Sequence, residues 1–244
     1  MRGYQLENLR LILAYASRHS PFYRRRLSGR VDFTTMDFEH CRSLPFTTAD
    51  DLCRDPLELL GVSQAQVARV VTLRSSGTSA PPKRLFFNQA DLELTVDFFH
   101  HGMSGLVRAG QRVVILMPGA APESVGALLA EGLARMGAVG IVHGPVRDPE
   151  AAAAAILAEQ ADCLVGIPVQ ILGLARHTGS ARIPRGLIRS VVLSTDYVPA
   201  AIVAAVERRW GCDVYQHYGM SEMGYGGGLE CTAHEGYHLR EADL

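Results

Sequence analysis

A chain of 244 residues with a formal net charge of −1 has no charge surplus that would draw it to a nucleic acid or to an anionic membrane surface. Its composition, 48% hydrophobic and 20% charged, is that of a soluble globular protein with one large domain or two small ones. The N-terminal stretch MRGYQLENLRLILAYASRHS has neither a long uncharged apolar run nor a small-residue cleavage site, so neither a signal peptide nor a membrane partner is expected.

From Leu6 to Leu27, apolar residues at Leu6, Leu9, Ile12, Leu13 and Ala16 recur at helical spacing, and Arg24-Arg25-Arg26 reads as a solvated helix end. Residues 32–60 read as short helices and turns, with Thr48 capping Ala49-Asp50-Asp51-Leu52. The pattern divides the chain into a helical segment over 1–69 and an α/β core over 70–244. In the core, β-rich runs at 70–73, 113–117, 139–143, 163–167, 191–194 and 213–216 alternate with helical stretches at 89–107, 121–136, 149–160, 168–177 and 199–210. That alternation predicts an α/β fold with a mostly parallel sheet flanked by helices. Five scattered cysteines, odd in number and without a C-x-x-C pair, predict no disulfide framework and a reducing, cytoplasmic location.

In such sheets functional loops lie at the carboxyl ends of strands. Two glycine-bearing segments fall there, 74–83 (R-S-S-G-T-S-A-P-P-K) and 217–228 within Y-Q-H-Y-G-M-S-E-M-G-Y-G-G-G-L-E-C. In the first, hydroxyls at Ser75, Ser76, Thr78 and Ser79, a permissive Gly77 and the cation of Lys83 make a chemically sensible polyphosphate cradle. The spacing is not that of a Walker loop, and by itself the segment reads equally as a polar surface turn.

Taken together, R-S-S-G-T-S-A-P-P-K and H-Y-G-M-S-E closely resemble the phosphate-loop and Y-G-x-[ST]-E signatures of the adenylate-forming superfamily of acyl-CoA synthetases and ligases. G-G-G-L-E-C-T-A-H-E-G-Y-H-L-R-E-A-D is similar to its phenylacetate–CoA ligase branch. The resemblance implies the N-terminal large-domain portion of such an enzyme, one that uses ATP, Mg²⁺ and coenzyme A to convert a small carboxylic acid, aromatic by the branch default, to an acyl-adenylate and then a thioester. It implies Ser75, Ser76, Gly77, Thr78 and Ser79 over the ATP phosphates with Lys83 at the loop's end, and Tyr218 with Gly219 against the adenine. It further implies Ser194-Thr195-Asp196 at the adenine edge, Ser221 on the α-phosphate and Glu222 on Mg²⁺. Two departures stand out. Ala80 replaces the loop's second glycine, and Ser194-Thr195-Asp196 replaces a glycine-rich segment.

Relatives continue past the position of Leu244, to a ribose-binding aspartate and a small domain with a catalytic lysine. From that difference, slow thioester formation by residues 1–244 alone and self-association, such as a homodimer, are expected. Cys231 and His238, with His234 between them, are either ligands of a structural Zn²⁺, as the branch implies, or a buried thiol and a capping imidazole. His100 and His101 line a pocket or pack, Met220, Met223 and Tyr225 line the acyl site or fill core, and Glu230 reads as a solvated carboxylate. Alternatives to a ligase are a nucleotide-binding module without turnover and an accessory protein that keeps the fold for docking.

Overall fold

The computed structural model describes residues 2–73, 82–220 and 223–240. Contacts divide the chain into two compact units, Met1–Asp91 with Arg240–Leu244, and Leu92–Leu239.

The first unit is helical at its start. The expected single helix over 6–27 is two, α1 (Arg2–His19) and α2 (Pro21–Leu27). Pro21 drives the residue before it out of the helical region, and Ser20 accordingly sits at φ −93° and ψ 122°. Ser20 is buried, its hydroxyl accepts the Tyr23 N–H and donates to the Glu58 carbonyl, and so the break is also a tertiary anchor. Two of the arginines that follow are spent locally, Arg25 on Glu58 and Arg26 on Asp51, while Arg24 donates to the Arg18 carbonyl. The short helices α3 (Phe38–Arg42) and α4 (Ala49–Arg54) come next, and Thr48 and Asp51 form the reciprocal box that caps α4.

β1 (Arg69–Leu73) is not the first strand of the parallel series that the sequence predicts. It pairs antiparallel with β2 (Lys83–Phe87) in a separate two-stranded sheet, from Arg69 opposite Phe87 to Leu73 opposite Lys83. β2 hides in the sequence because a Pro-Pro pair precedes it and its basic start reads as the tail of the loop.

The second unit contains α5 (Gln89–Ser104) from Leu92 onward, then β3 (Arg112–Leu116), α6 (Val125–Arg135), β4 (Val139–Val142), α7 (Pro149–Ala158), β5 (Cys163–Gly166), α8 (Pro168–Arg176), β6 (Ser190–Leu193), α9 (Ala200–Trp210), β7 (Asp213–Tyr218), β8 (Gly228–Glu230) and β9 (Tyr237–Leu239). The sheet order is β4-β3-β5-β6-β7-β8-β9, parallel through β7 and antiparallel at β8 and β9. β5 and β6 are buried along their whole length, as a parallel strand covered on both faces must be. Alternation sends Val114, Leu164, Val191 and Val214 into one core with Ile156, Ile171, Leu174 and Trp210. The opposite face carries Val113, Ile115, Val165 and Val192, all buried.

Among the described residues no helix is long and apolar enough to cross a membrane. The chain moves left from β3 to β4 and then right to β5, so its order reverses beside β3. A crevice at the carboxyl ends of the strands is expected at such a reversal.

Helix α6 approaches α5 at Gly132, where an added methyl would stand 2.9 Å from the Val96 carbonyl oxygen and 3.0 Å from the His100 nitrogen. Backbone cannot swing aside as a side chain can. Gly132→Ala is therefore expected to lower stability by about 1–2 kcal/mol despite alanine's better helix propensity, measured as a lower urea midpoint at unchanged slope.

Candidate functional site

The phosphate-loop residues Ser75, Ser76, Gly77, Thr78 and Ser79, with Ala80, lie outside the described residues, and so do Ser221 and Glu222. The expected approach of segments 74–83 and 217–228 lies outside them for the same reason. Lys83 is described, at the head of β2 and in register with Leu73. The other predicted positions cluster at the carboxyl ends of β6 and β7.

Ser194 follows β6 directly. Its N–H donates to the Gly166 carbonyl at 3.0 Å, extending the β5–β6 ladder by one bond. The side chain is buried, and its Oγ lies 2.9 Å from Nδ1 of His217 on β7. His217 also stands edge-on to Phe98, with ring centroids 5.7 Å apart. Burial pushes the imidazole down to about 4, so it is neutral at physiological pH. Its other nitrogen, Nε2, is buried and has no hydrogen-bond partner among the described residues.

Thr195, where the resemblance leads one to expect glycine, adopts φ +79°. A β-branched residue there is strained. The next side chain is used locally, since Asp196 Oδ1 accepts the Tyr197 N–H at 2.8 Å.

Tyr218 ends β7 half-exposed and tilts against Tyr237 of β9, with ring centroids 5.6 Å apart. An exposed aromatic face at a strand end is suited to stacking on a planar base. The glycine run beside it is a matter of close approach. A methyl on Gly226 would come within 2.5 Å of Phe98, and one on Gly227 within 2.6 Å of the Tyr218 carbonyl oxygen.

Between these groups opens a narrow pocket of about 30 Å³, walled by Phe98, Phe99, Met117, Leu129 and Val192. Ser194, His217 and Tyr225 add its polar atoms. Tyr225 is thus pocket-lining, whereas Met220 is half-exposed and outside the lining, and neither His100 nor His101 belongs to it. His101 instead faces Asp97 at 3.3 Å.

Glu230 departs from the sequence expectation of a solvated carboxylate. It is only 9% exposed, and its Oε2 accepts the Gln216 N–H at 2.9 Å, satisfying β7 just before the β8 ladder begins. His234 lies 3.5 Å from the same oxygen and stacks on Tyr215 at 5.0 Å. His238 is exposed on β9 opposite Leu229. Among the described residues no group of three or more His, Cys, Asp or Glu side chains could hold a metal ion. Burial raises the Cys163 and Cys212 thiols to about 12, which leaves them inert as nucleophiles.

The sequence places His217 inside H-Y-G-M-S-E but assigns it no role, and it assigns none to Phe98 or Tyr237. A lone imidazole just ahead of the Y-G-M-S-E motif, two residues past Val214-Tyr215, is the available signal. The other two depend on a tertiary neighbour that no local pattern reveals.

Two expectations follow from this geometry. Thr195→Gly relieves the strain and is expected to stabilise the protein by about 1 kcal/mol, the looser unfolded chain offsetting part of the gain; equilibrium denaturation checks it. His217 has a folded pKa below its unfolded value, so the unfolded state binds the extra proton between about pH 6.5 and 4 and stability falls on acidification through that window. From pH 7 to 5 the His217 share of this loss is on the order of 2 kcal/mol. Comparison of the two pH-stability curves should show that His217→Gln removes it.

No protein-family model matches the chain, and no curated protein does. Solved structures do match. 2-Hydroxyisobutyryl-CoA ligase, in complex with 2-HIB-AMP and CoA, superposes with a TM-score of 0.83 at 18% identity, over 98% of this chain and 54% of the ligase. The inhibitor-bound N-terminal domain of FACL13 from Mycobacterium tuberculosis gives 0.54 at 17% identity, over 80% of this chain and 45% of that one. The amide bond synthetase McbA from Marinactinospora thermotolerans gives 0.52 at 27% identity, over 66% and 31% respectively. The chain spans about half the length of the 2-hydroxyisobutyryl-CoA ligase it matches. In its α/β architecture and mostly parallel sheet, the chain has the fold of the N-terminal part of the adenylate-forming enzymes.

Proposed function

We propose that the protein takes part in ATP-dependent activation of a small carboxylic acid to an acyl-adenylate, for transfer to coenzyme A. The observation that carries this reading is the coincidence of fold and site. The fold is shared with a ligase whose structure holds an acyl-AMP and CoA. The positions that the resemblance assigns to the nucleotide, Ser194–Asp196 and Tyr218, fall at adjacent strand ends beside a pocket.

In the first step a carboxylate oxygen of the acid attacks the α-phosphorus of ATP and pyrophosphate leaves. In the second, the thiol sulfur attacks the acyl carbon and AMP leaves. The acid is already ionised at neutral pH, so the first step needs no general base. The protein's share is positioning and charge stabilisation. Tyr218 offers the adenine an exposed ring, and Ser194 to Asp196 run along its edge. The motif likeness gives the phosphates to Ser75–Ser79 and Lys83, and the α-phosphate to Ser221. When bound, magnesium would neutralise phosphate charge. Glu222, its carboxylate by the same likeness, lies outside the described residues.

The likeness to the phenylacetate–CoA ligase branch rests on residues 226–243 alone. The pocket's small volume does not favour a phenyl ring. One feature favours a second reading, a nucleotide-binding module without turnover: Ala80 stands where the loop's second glycine is usual, and alanine resists the positive φ that glycine adopts freely.

ATP–pyrophosphate exchange by the native protein with a panel of carboxylic acids separates the readings. Acid-dependent exchange supports activation, and Mg·ATP binding without exchange supports the module. Glu222→Gln keeps the shape and removes the charge. Mg·ATP affinity is expected to fall at least about tenfold with an unchanged denaturation midpoint; affinity equal to wild type would remove Glu222 from the site.

A further inference from the structure

The pocket at the strand ends contains a polar atom that activation of a carboxylate does not use. Ser194 Oγ and His217 Nδ1 satisfy each other at 2.9 Å. His217 Nε2 is left buried without a partner among the described residues, in a pocket otherwise walled by Phe98, Leu129, Val192 and their apolar neighbours. Buried polar atoms are almost always paired, so an orphan beside a pocket marks a place where a bound group, an ordered water or a ligand that displaces it, supplies the missing bond.

The chemistry of that group follows from the imidazole's state. Burial keeps the ring neutral at physiological pH. If the Ser194 hydroxyl donates to Nδ1, Nε2 carries the proton and donates. If Nδ1–H donates to Ser194 Oγ, Nε2 accepts. A hydroxyl rotor serves either arrangement, so both tautomers are open to the pair. A carbonyl suits only the first and an ammonium only the second. A second carboxylate could accept from the first, but it would bury a net charge beside a neutral ring, which the apolar walls oppose. A hydroxyl donates or accepts as required and pairs with both. Size narrows the choice further. The pocket's volume of about 30 Å³ takes a water-sized group, whereas a dry cavity that accepts benzene measures about 150 Å³.

We propose, resting on the adenylation reading above, that His217 is a specificity-determining residue whose Nε2 pairs with a hydroxyl on a short, uncharged acyl chain. The preferred substrates are then small hydroxylated carboxylic acids, ahead of both their plain analogues and aryl acids. A pocket built to pair a hydroxyl rejects the analogue that lacks it, because Nε2 stays unpaired when that analogue is bound.

The test is pyrophosphate exchange by the native protein with butyrate, its 2-hydroxy and 3-hydroxy derivatives, and phenylacetate. At least one hydroxylated acid is expected to exceed butyrate in kcat/KM by about 10- to 100-fold, with phenylacetate below both. In His217→Leu the hydroxylated-to-plain ratio should collapse toward one, and in His217→Gln, which keeps a hydrogen-bonding side chain, a part of it should return. A wild-type ratio at or below one overturns the proposal. So does an equal fall for both acids in His217→Leu, which would mean that the imidazole holds the reacting carboxylate or a resident water. Titration of ¹⁵N-histidine-labelled wild-type protein with the same acids is independent of turnover and of any variant's folding. A shift of the His217 Nε2 resonance with a hydroxylated acid but not with butyrate upholds the pairing, and no difference between them overturns it. If no acid supports exchange, the adenylation reading fails, and this titration alone decides whether the hydroxyl site exists.

Discussion

A parallel sheet covered by helices on both faces has no room for polar side chains along its strands, so its chemistry is confined to the places where strands end. β5 and β6 follow this closely, buried from Cys163 to Gly166 and from Ser190 to Leu193, with Ser190 at the start of β6 the one hydroxyl. The first polar side chain past β6 is Ser194, and near the end of β7 it is His217. One contact of 2.9 Å joins them. That bond fixes the ring of His217, which in turn meets Phe98 edge-on. The pocket, the positive-φ turn at Thr195 and the exposed ring of Tyr218 all hang from these two adjacent strand ends.

The antiparallel strands β8 and β9 explain how β7 can carry such a load. A strand at the rim of a parallel sheet offers unpaired N–H and C=O groups, which must be covered. β8 covers His217 and Tyr218 in register with Leu229 and Gly228, and where that ladder stops the Glu230 carboxylate takes over by accepting the Gln216 N–H. The glycines at 226 and 227 allow this return, since side chains there would collide with Phe98 and with the Tyr218 carbonyl. Their role is steric, and it differs from the flexibility that a glycine-rich segment invites one to assume.

The parallel strands were legible in the sequence because a doubly covered strand is a short apolar run, and the runs at 113–117, 163–167 and 191–194 are bounded by helical periodicity on both sides. β1 was legible as a strand but not as an antiparallel one, since pairing is a property of two segments and its partner β2 begins with Lys83-Arg84. β8 and β9 are three residues each, too short for a period to register. The helix break at Ser20 could have been read from Pro21, but the apolar spacing on either side of it conceals the interruption. Of the site, the motif positions were legible by resemblance. His217 and Glu230 were not, because burial and pairing decide their character, and both are set by neighbours distant in sequence.

The residue types that the resemblance assigns to the nucleotide differ in charge from those that line the pocket. The groups that the motifs direct at the phosphates, Lys83 and Glu222, are ionic residues of a kind that polyphosphate and a divalent cation require. The pocket at the ends of β6 and β7 is lined, apart from apolar side chains, by neutral groups, Ser194, Tyr225 and an imidazole held uncharged by burial. A formal charge placed among Phe98, Leu129 and Val192 would pay a large desolvation penalty, so the pocket can discriminate only by shape and by hydrogen bonding without charge. On the adenylation reading proposed above, an acid would carry its negative charge at the reacting carboxylate and not at the end that enters this pocket. On that reading, an acyl chain with a second ionised group would be disfavoured by the same burial that keeps His217 neutral.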